Sequence, residues 1–213
     1  MMMRRLTLGL ALLLAPASFA QTFSRDYKDS YPRNPGIDIL NYAFELTLSD
    51  ATDSIVGRTT IDARFVTAGQ TELRLDLVKA SEKTGGKGMS VQSVTLAGQA
   101  LPFRHERDQI FITLPRPSQA MERVRVAVSY SGVPAAGLKI APNKHGDRAF
   151  FSDNWSSKVR NWLPTVDHPS DKAMSEMIVT APSRYQVVSN GILVEETSRG
   201  DGTTLTHWKN SVP

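Results

Sequence analysis

The chain has 213 residues, of which 40% are hydrophobic and 22% are charged, and these are ordinary values for a soluble globular domain. Such a composition argues against intrinsic disorder, collagen-like repeats and coiled coils. The formal net charge is only +4, and no run of Lys and Arg with interleaved aromatic residues occurs, so we expect no nucleic-acid partner and no binding to an anionic membrane.

The first 20 residues predict a signal peptide. Two arginines precede an apolar run over 6–15, and Ser18-Phe19-Ala20 puts small residues where a signal peptidase cleaves. The apolar run is about half of the roughly 20 residues that a membrane-spanning helix needs, so we expect cleavage before Gln21 and no stable membrane anchor. The expected location is periplasmic or extracellular, and residues 21–36 are interpreted as an N-terminal extension.

From Leu40 onward, apolar and polar residues alternate in the pattern of half-buried β-strands. The alternation predicts ten strands, over 40–48, 55–65, 73–77, 91–96, 110–114, 124–130, 174–180, 185–188, 192–196 and 203–208. No segment has the 3.6-residue period of an amphipathic helix. The fold class is therefore all-β, and short strands at this spacing predict a sandwich. The Asn190-Gly191 pair predicts a type I′ hairpin turn between its flanking strands.

The stretch over 131–169 departs from this pattern. It is irregular and rich in Pro, Gly, Asn and aromatic residues, and a compact domain keeps such a loop mainly where the loop has a function. No two of the four histidines have a metal-ligand spacing, and the sequence contains no Gly-x-Ser-x-Gly elbow and no phosphate-binding loop. We therefore predict no catalytic residue and no metal ligand in this chain.

The residues that carry a family resemblance occur in a fixed order along the chain: Asp38-Ile39-Leu40-Asn41-Tyr42, Tyr130-Ser131-Gly132, the P-x-x-D-x-P-x-x-K arrangement of Pro164, Asp167, Pro169 and Lys172, and Ser189-Asn190-Gly191. In this order they resemble the N-terminal domain of zinc aminopeptidases of the aminopeptidase N type. The resemblance implies that residues 37–213 form a saddle-shaped antiparallel β-sandwich that packs on a separate catalytic domain, which is absent from this chain.

The P-x-x-D-x-P-x-x-K arrangement also has a physical interpretation of its own. Its two prolines stiffen the loop, Asp167 can accept hydrogen bonds from backbone N–H groups, and Lys172 supplies a charge nearby. We therefore predict a structural role for these four motif residues.

The resemblance also implies one contribution to the substrate cleft. In the family, a Glu or Gln five residues before the Arg of this segment helps to bind the free amino group of the substrate. Counting back from Arg160 gives Trp155, whose ring face can attract an ammonium group but cannot accept a hydrogen bond as a carboxylate does. Asn154 or Asp153 could take over the recognition of the amino group, and Asn154 and Trp155 are the expected substrate-binding residues.

The alternative is that the aromatic side chains of this region pack a core beneath the loop. We favour that interpretation for Phe151 and Trp162, and for Trp155 both interpretations stay open.

The resemblance implies a function as the non-catalytic N-terminal domain of an exported zinc-dependent metallo-aminopeptidase. The family's zinc ligands belong to an H-E-x-x-H motif and a more distant Glu of the catalytic domain, and this sequence contains neither H-E-x-x-H nor G-x-M-E-N. We therefore predict that this chain alone binds no zinc and hydrolyses no peptide. Its expected partners are the missing catalytic domain and a peptide substrate.

A second hypothesis comes from a different class of function. The chain could be a free-standing secreted β-sandwich that binds a peptide, a glycan or a protein through the aromatic loop around Trp155. Such a domain would have to cover its own apolar surface, whereas a domain that has lost its catalytic partner would expose an apolar face.

Overall fold

The computed structural model describes residues 29–213, so the predicted signal peptide and the first part of the predicted extension lie outside the described residues. Residues Pro32–Pro213 form one unit. Its strands are β1 Ile37–Thr47, β2 Ile55–Phe65, β3 Glu72–Asp76, β4 Gly88–Leu96, β5 Gln99–Ala100, β6 Phe103–Glu106, β7 Gln109–Thr113, β8 Glu122–Val133, β9 Leu138–Pro142, β10 Arg148–Ser152, β11 Met174–Pro182, β12 Ile192–Ser198 and β13 Thr203–Asn210. Two short 3₁₀ turns occupy Glu82–Thr84 and Val159–Asn161. Among the described residues, no helix is long and apolar enough to cross a membrane.

Eight strands form one large sheet in the order β12-β13-β11-β1-β2-β8-β4-β5. β1 and β11 run parallel, with Asn41 opposite Met174 and Thr47 opposite Thr180, whereas the other neighbouring strands of this sheet are antiparallel. A parallel pair requires a long crossover, and here β2 to β10 all lie between the two strands in the chain. The predicted all-β fold is confirmed, with one parallel pair in its large sheet.

A smaller sheet in the order β3-β7-β6 and the hairpin β9-β10 complete the fold. Alternate residues of β3 and β7 are buried in the same hydrophobic cluster as the inner face of the large sheet, with Leu75 and Ile110 packing in the cluster that contains Phe44 and Ile61. Burial of this apolar surface between the sheets is the main source of stability in a domain without cysteines.

The inner face of β1 differs from the prediction at one position. Leu40 was expected to begin the buried set, but Ile39 is fully buried and Leu40 is only half-buried. The pairing register with β2 shifts between Ile39 and Asn41, and such a bulge changes which side chains point inward. Beyond the bulge, Tyr42, Phe44 and Leu46 are buried as the alternation predicts.

The predicted hairpin at Asn190-Gly191 is wrong. Residues 183–191 contain no strand, and β12 pairs with β13 instead. A type I′ turn needs positive φ at both central residues, and of this pair only Gly191 has one, at 93°. A Cβ atom at Gly191 would lie 2.0 Å from the carbonyl oxygen of Lys209, so the glycine allows β12 to begin directly against β13.

Candidate functional site

A long loop joins β10 to β11 and contains most of the sequence motif. We call residues 153–158 the tip and residues 159–171 the anchor. The anchor includes the 3₁₀ turn Val159–Asn161 and the motif residues up to Pro169, whereas the tip contains both predicted substrate-binding residues.

Backbone hydrogen bonds attach the anchor to the end of β3. The N–H of Asp76 donates to the carbonyl of Thr165 at 2.6 Å, and the N–H of Thr165 donates back to the carbonyl of Asp76 at 3.2 Å. The buried hydroxyl of Tyr42 on β1 accepts a hydrogen bond from the N–H of Val166 at 2.9 Å. The anchor is therefore attached to both sheets, since β3 belongs to the small sheet and β1 to the large one.

Side chains of the anchor form an ion-pair network around a fully buried carboxylate. Arg160 donates from Nε to Asp167 Oδ2 at 2.8 Å and from Nη2 to the carbonyl of Asp167 at 3.0 Å. The buried carboxylate belongs to Asp76, which accepts the N–H of Asp167 at 3.0 Å and Nε2 of Gln109 at 3.1 Å. Nη2 of Arg160 lies 3.6 Å from Asp76 Oδ2, so a single guanidinium group serves both carboxylates. A buried charge persists in a fold only when it is compensated in this way.

The other motif residues lie in different environments. Pro164 is buried, whereas Pro169 and Lys172 are exposed. Within residues 29–213, the Lys172 side chain makes no hydrogen bond and no ion pair. The positive charge beside Asp167 is therefore that of Arg160 and not that of Lys172, as the sequence had predicted. In the sequence, Arg160 was used only as the reference position from which Trp155 was located.

A half-buried carboxylate attaches the end of the anchor to β1. Asp171 Oδ1 accepts the backbone N–H of Ile39 at 3.3 Å. Burial raises the pKa of Asp171 to about 6, and the nearby Asp38 carboxylate adds to the rise. This contact places a titratable group where the loop returns to the large sheet.

The tip projects from this anchor with its polar groups connected to one another. Asn154 Oδ1 accepts the indole N–H of Trp162 at 3.0 Å. Asp153 Oδ2 accepts a hydrogen bond from Lys158 Nζ at 2.8 Å, and this contact lowers the pKa of the Asp153 carboxyl. The Trp155 side chain is 85% exposed.

The aromatic residues of this region divide between core and surface. Trp162 is buried, as predicted, but the prediction for Phe151 is wrong because its side chain is 66% exposed. Successive residues of a strand point to opposite faces, and on β10 the inward position belongs to Phe150, whose ring meets that of Tyr185 edge-on at 5.4 Å. Trp155, for which both interpretations were open, does not pack in a core.

A second exposed surface lies on the outermost strand of the large sheet. Every residue of β12 is exposed, and its first three side chains are apolar. We call Val188 and the β12 residues Ile192, Leu193 and Val194 the apolar edge. Val188 and Ile192 are 72% and 68% exposed. Val188 also lines an apolar cavity of about 470 Å³ between the hairpin β9-β10 and the large sheet, together with Leu46, Phe150 and Phe151.

Comparisons with known proteins agree with this architecture. A sequence model of the peptidase M1 N-terminal domain family matches residues 39–213. The crystal structure of an M1 zinc metallopeptidase from Deinococcus radiodurans is 26% identical with a TM-score of 0.70, and the match covers 84% of this chain and 40% of that one. A structure of a variant from the same organism bound to a Tyr-Ser-Ala substrate matches with the same identity, TM-score and coverage.

A further similar protein comes from Sulfurisphaera tokodaii. The probable aminopeptidase 2 of Sulfurisphaera tokodaii is 27% identical over 120 residues, which are 56% of this chain and 15% of that protein. This chain therefore matches well under half of the length of its relatives.

Proposed function

The chain belongs to the peptidase M1 N-terminal domain family, and we propose that it is the non-catalytic first domain of a zinc-dependent metallo-aminopeptidase. In this proposal, another part of the enzyme holds the zinc and hydrolyses the peptide. Within residues 29–213, no group of three or more His, Cys, Asp or Glu side chains could hold a metal ion. The role of this chain is to supply a contact surface and part of the cleft wall.

The apolar edge is the observation that carries this proposal. Its strand, β12, is the last strand of the large sheet, so within residues 29–213 one side of its backbone has no neighbouring strand. Natural proteins usually protect such an edge with charges, prolines or a covering element, because it attracts other chains. Here the exposed side chains at its start are apolar, and charges follow only at Glu195 and Glu196. A catalytic domain packed on this surface would cover both the apolar side chains and the strand edge.

The tip supports a role in the cleft wall. Exposed aromatic side chains are common at recognition surfaces because they offer a large contact area at a small entropic cost. Trp155 is such a side chain, and Asn154 beside it is held in place by Trp162. A peptide is the substrate class that we propose for this surface, since a relative from Deinococcus radiodurans was crystallised with Tyr-Ser-Ala.

We also propose that the enzyme is exported to the periplasm or the cell exterior. The charged start, the apolar run and the small residues before Gln21 support this location. N-terminal sequencing of the protein purified from its host tests it. The expected first residue is Gln21, and a mature protein that begins at the initiating Met would contradict the proposal.

Dye binding tests the docking surface directly. The chain without its first 20 residues should bind the hydrophobic dye ANS or self-associate, and Val194→Lys should reduce either effect by adding a charge to the apolar edge. Glu196→Lys changes an exposed polar residue of the same strand and is the matched control. A monomer that binds no dye would instead favour a free-standing binding module.

Zinc content and activity provide a second test. The chain without its first 20 residues should contain no stoichiometric zinc and release no dye from an aminoacyl p-nitroanilide. Zinc at one equivalent by elemental analysis, or release above the blank, would contradict the non-catalytic role.

A further inference from the structure

The orientation of the Asn154 amide is fixed by the chemistry of its partner. An indole N–H can only donate a hydrogen bond, so the atom 3.0 Å from Trp162 Nε1 must be the amide oxygen. The buried indole also needs this acceptor, because an unpaired buried N–H is costly. Nδ2 is left as the free atom of the amide, and it makes no hydrogen bond within residues 29–213.

The partner of Asn154 is itself held firmly in the core. Gly137 lies against the indole, and a Cβ atom there would be 2.8 Å from Trp162 Cδ1 and 2.4 Å from the carbonyl oxygen of Lys158. The same glycine accepts the N–H of Asp153 through its carbonyl at 2.8 Å. The start of the tip and the indole that orients Asn154 are thus fixed to the same turn.

The carboxylate of the tip is already compensated. Asp153 accepts Lys158 Nζ at 2.8 Å through one oxygen and the N–H of Trp155 at 3.3 Å through the other. Asn154 Nδ2 and Trp155 Nε1 are N–H donors that make no hydrogen bond within residues 29–213. Such donors are complementary to an oxygen acceptor on a ligand.

We propose that Asn154 binds an acceptor oxygen of a peptide ligand, a carbonyl or a carboxylate, and that Trp162 is the positioning residue that sets this preference. The inference rests on the proposed function, in which the tip faces the peptide. It assigns Asn154 a role different from recognition of the free amino group, and it leaves the ring of Trp155 to contact a side chain of the ligand.

Two probes with the same phenol ring separate the alternatives. N-acetyl-tyrosine amide offers carbonyl oxygens and no charge, whereas tyramine offers an ammonium group and no carbonyl. Each is titrated into the ¹⁵N-labelled chain without its first 20 residues, and the side-chain amide signals of Asn154 are followed by NMR. We expect N-acetyl-tyrosine amide to shift these signals with an affinity about 5-fold higher than that of tyramine, which is the effect of one hydrogen bond.

Two variants test the roles of the two residues. Asn154→Asp keeps the shape of the side chain but replaces the free NH₂ with an oxygen, so the preference should reverse towards tyramine, as read from the Trp155 indole signal. Trp162→Phe removes the indole N–H, which frees the amide to turn, so the two affinities should differ by less than about 2-fold. Asn154 is exposed, so its substitution leaves the core intact even if Trp162→Phe fails to fold.

Several outcomes would overturn the inference. The inference is wrong if tyramine binds as tightly as N-acetyl-tyrosine amide, or if neither probe shifts the signals of the Asn154 amide. It is also wrong if the Asn154→Asp variant keeps the same preference between the probes. Dye binding at the apolar edge is measured in a separate experiment. If the chain binds dye but shows no preference between the two probes, the proposed role of Asn154 is wrong and the assignment of the domain stands.

Discussion

The anchor and the tip are consecutive parts of one loop, yet their polar groups are satisfied in different ways. In the anchor, Arg160 and Asp167 bind each other and the buried Asp76 of β3, and the N–H of Val166 binds Tyr42 of the large sheet. In the tip, Asp153 and Lys158 pair with each other at the surface, and Trp155 is open to solvent. The two parts of the loop therefore differ in role. The anchor, which contains the prolines and Asp167, fixes the loop to the sheets, and the tip exposes its side chains to solvent.

The largest expected effect comes from removing the buried carboxylate of the anchor network. Asp76→Ala leaves Gln109 and the N–H of Asp167 without their acceptor and leaves Arg160 with one carboxylate instead of two. We expect the free energy of unfolding to fall by about 3–5 kcal/mol in urea denaturation. The control is Asp62→Ala, whose partner Arg125 is mostly exposed, and it should cost less than about 1 kcal/mol. Equal losses in the two variants would mean that the buried network does not stabilise the anchor.

A smaller effect is expected at the turn that supports both regions. Gly137 has a φ of 80°, and a Cβ atom there would meet Lys158 and Trp162, so Gly137→Ala should cost about 2–3 kcal/mol in thermal or urea unfolding. Gly146 has a φ of 90° but open space around it, so Gly146→Ala should cost only about 1 kcal/mol for the strained backbone. If both variants lose the same stability, close packing at Gly137 is not what holds the turn.

The end of the anchor should respond to pH. The pKa of Asp171 rises on folding from 3.8 to about 6, so the native state binds the proton more tightly than the unfolded state does. The contribution of Asp171 to the free energy of unfolding is therefore fully present below pH 3.8 and is lost as the pH rises through about 6. Asp171→Asn removes the charge, so it should stabilise the chain by about 1 kcal/mol near pH 7.5, with allowance for partial exposure, and have little effect near pH 4. A variant that is equally stabilised at both pH values would contradict this assignment.

The smallest effect on stability is expected at the tip. Trp155→Ala removes a side chain that is 85% exposed, so the free energy of unfolding should change by less than about 0.5 kcal/mol. The same variant should weaken the binding of both tyrosine-derived probes, because their shared ring loses its contact. A large loss of stability would instead show that the Trp155 side chain stabilises the fold, as the residues of the anchor do.

Much of the fold could be predicted from the sequence, because alternation at a period of two directly reflects which side chains face the core. It predicted β2 at its observed bounds, Ile55–Phe65. It failed for the hairpin β9-β10, where short strands flank a turn and the adjacent Phe150 and Phe151 obscure the alternation. The local sequence also led to a wrong prediction at Asn190-Gly191, because the glycine is needed there for a close contact with Lys209 of β13.

The site was less predictable because its contacts are distant in the chain. Nothing near Asp76 in the sequence marks it as the partner of Asp167, since the two residues meet only after the loop has packed on β3. The Asn154 amide was predicted to face a substrate, but which of its two polar atoms is free depends on Trp162, eight residues further along. Pairing across such separations is determined by tertiary packing and not by local pattern.

The most direct test of the central claim is the coding sequence beyond the codon for Pro213. If this chain is the first domain of a zinc aminopeptidase, the reading frame continues and encodes G-x-M-E-N followed by H-E-x-x-H. A stop codon at that point, with neither motif downstream, would contradict the claim and leave a free-standing β-sandwich whose ligand is bound by the tip.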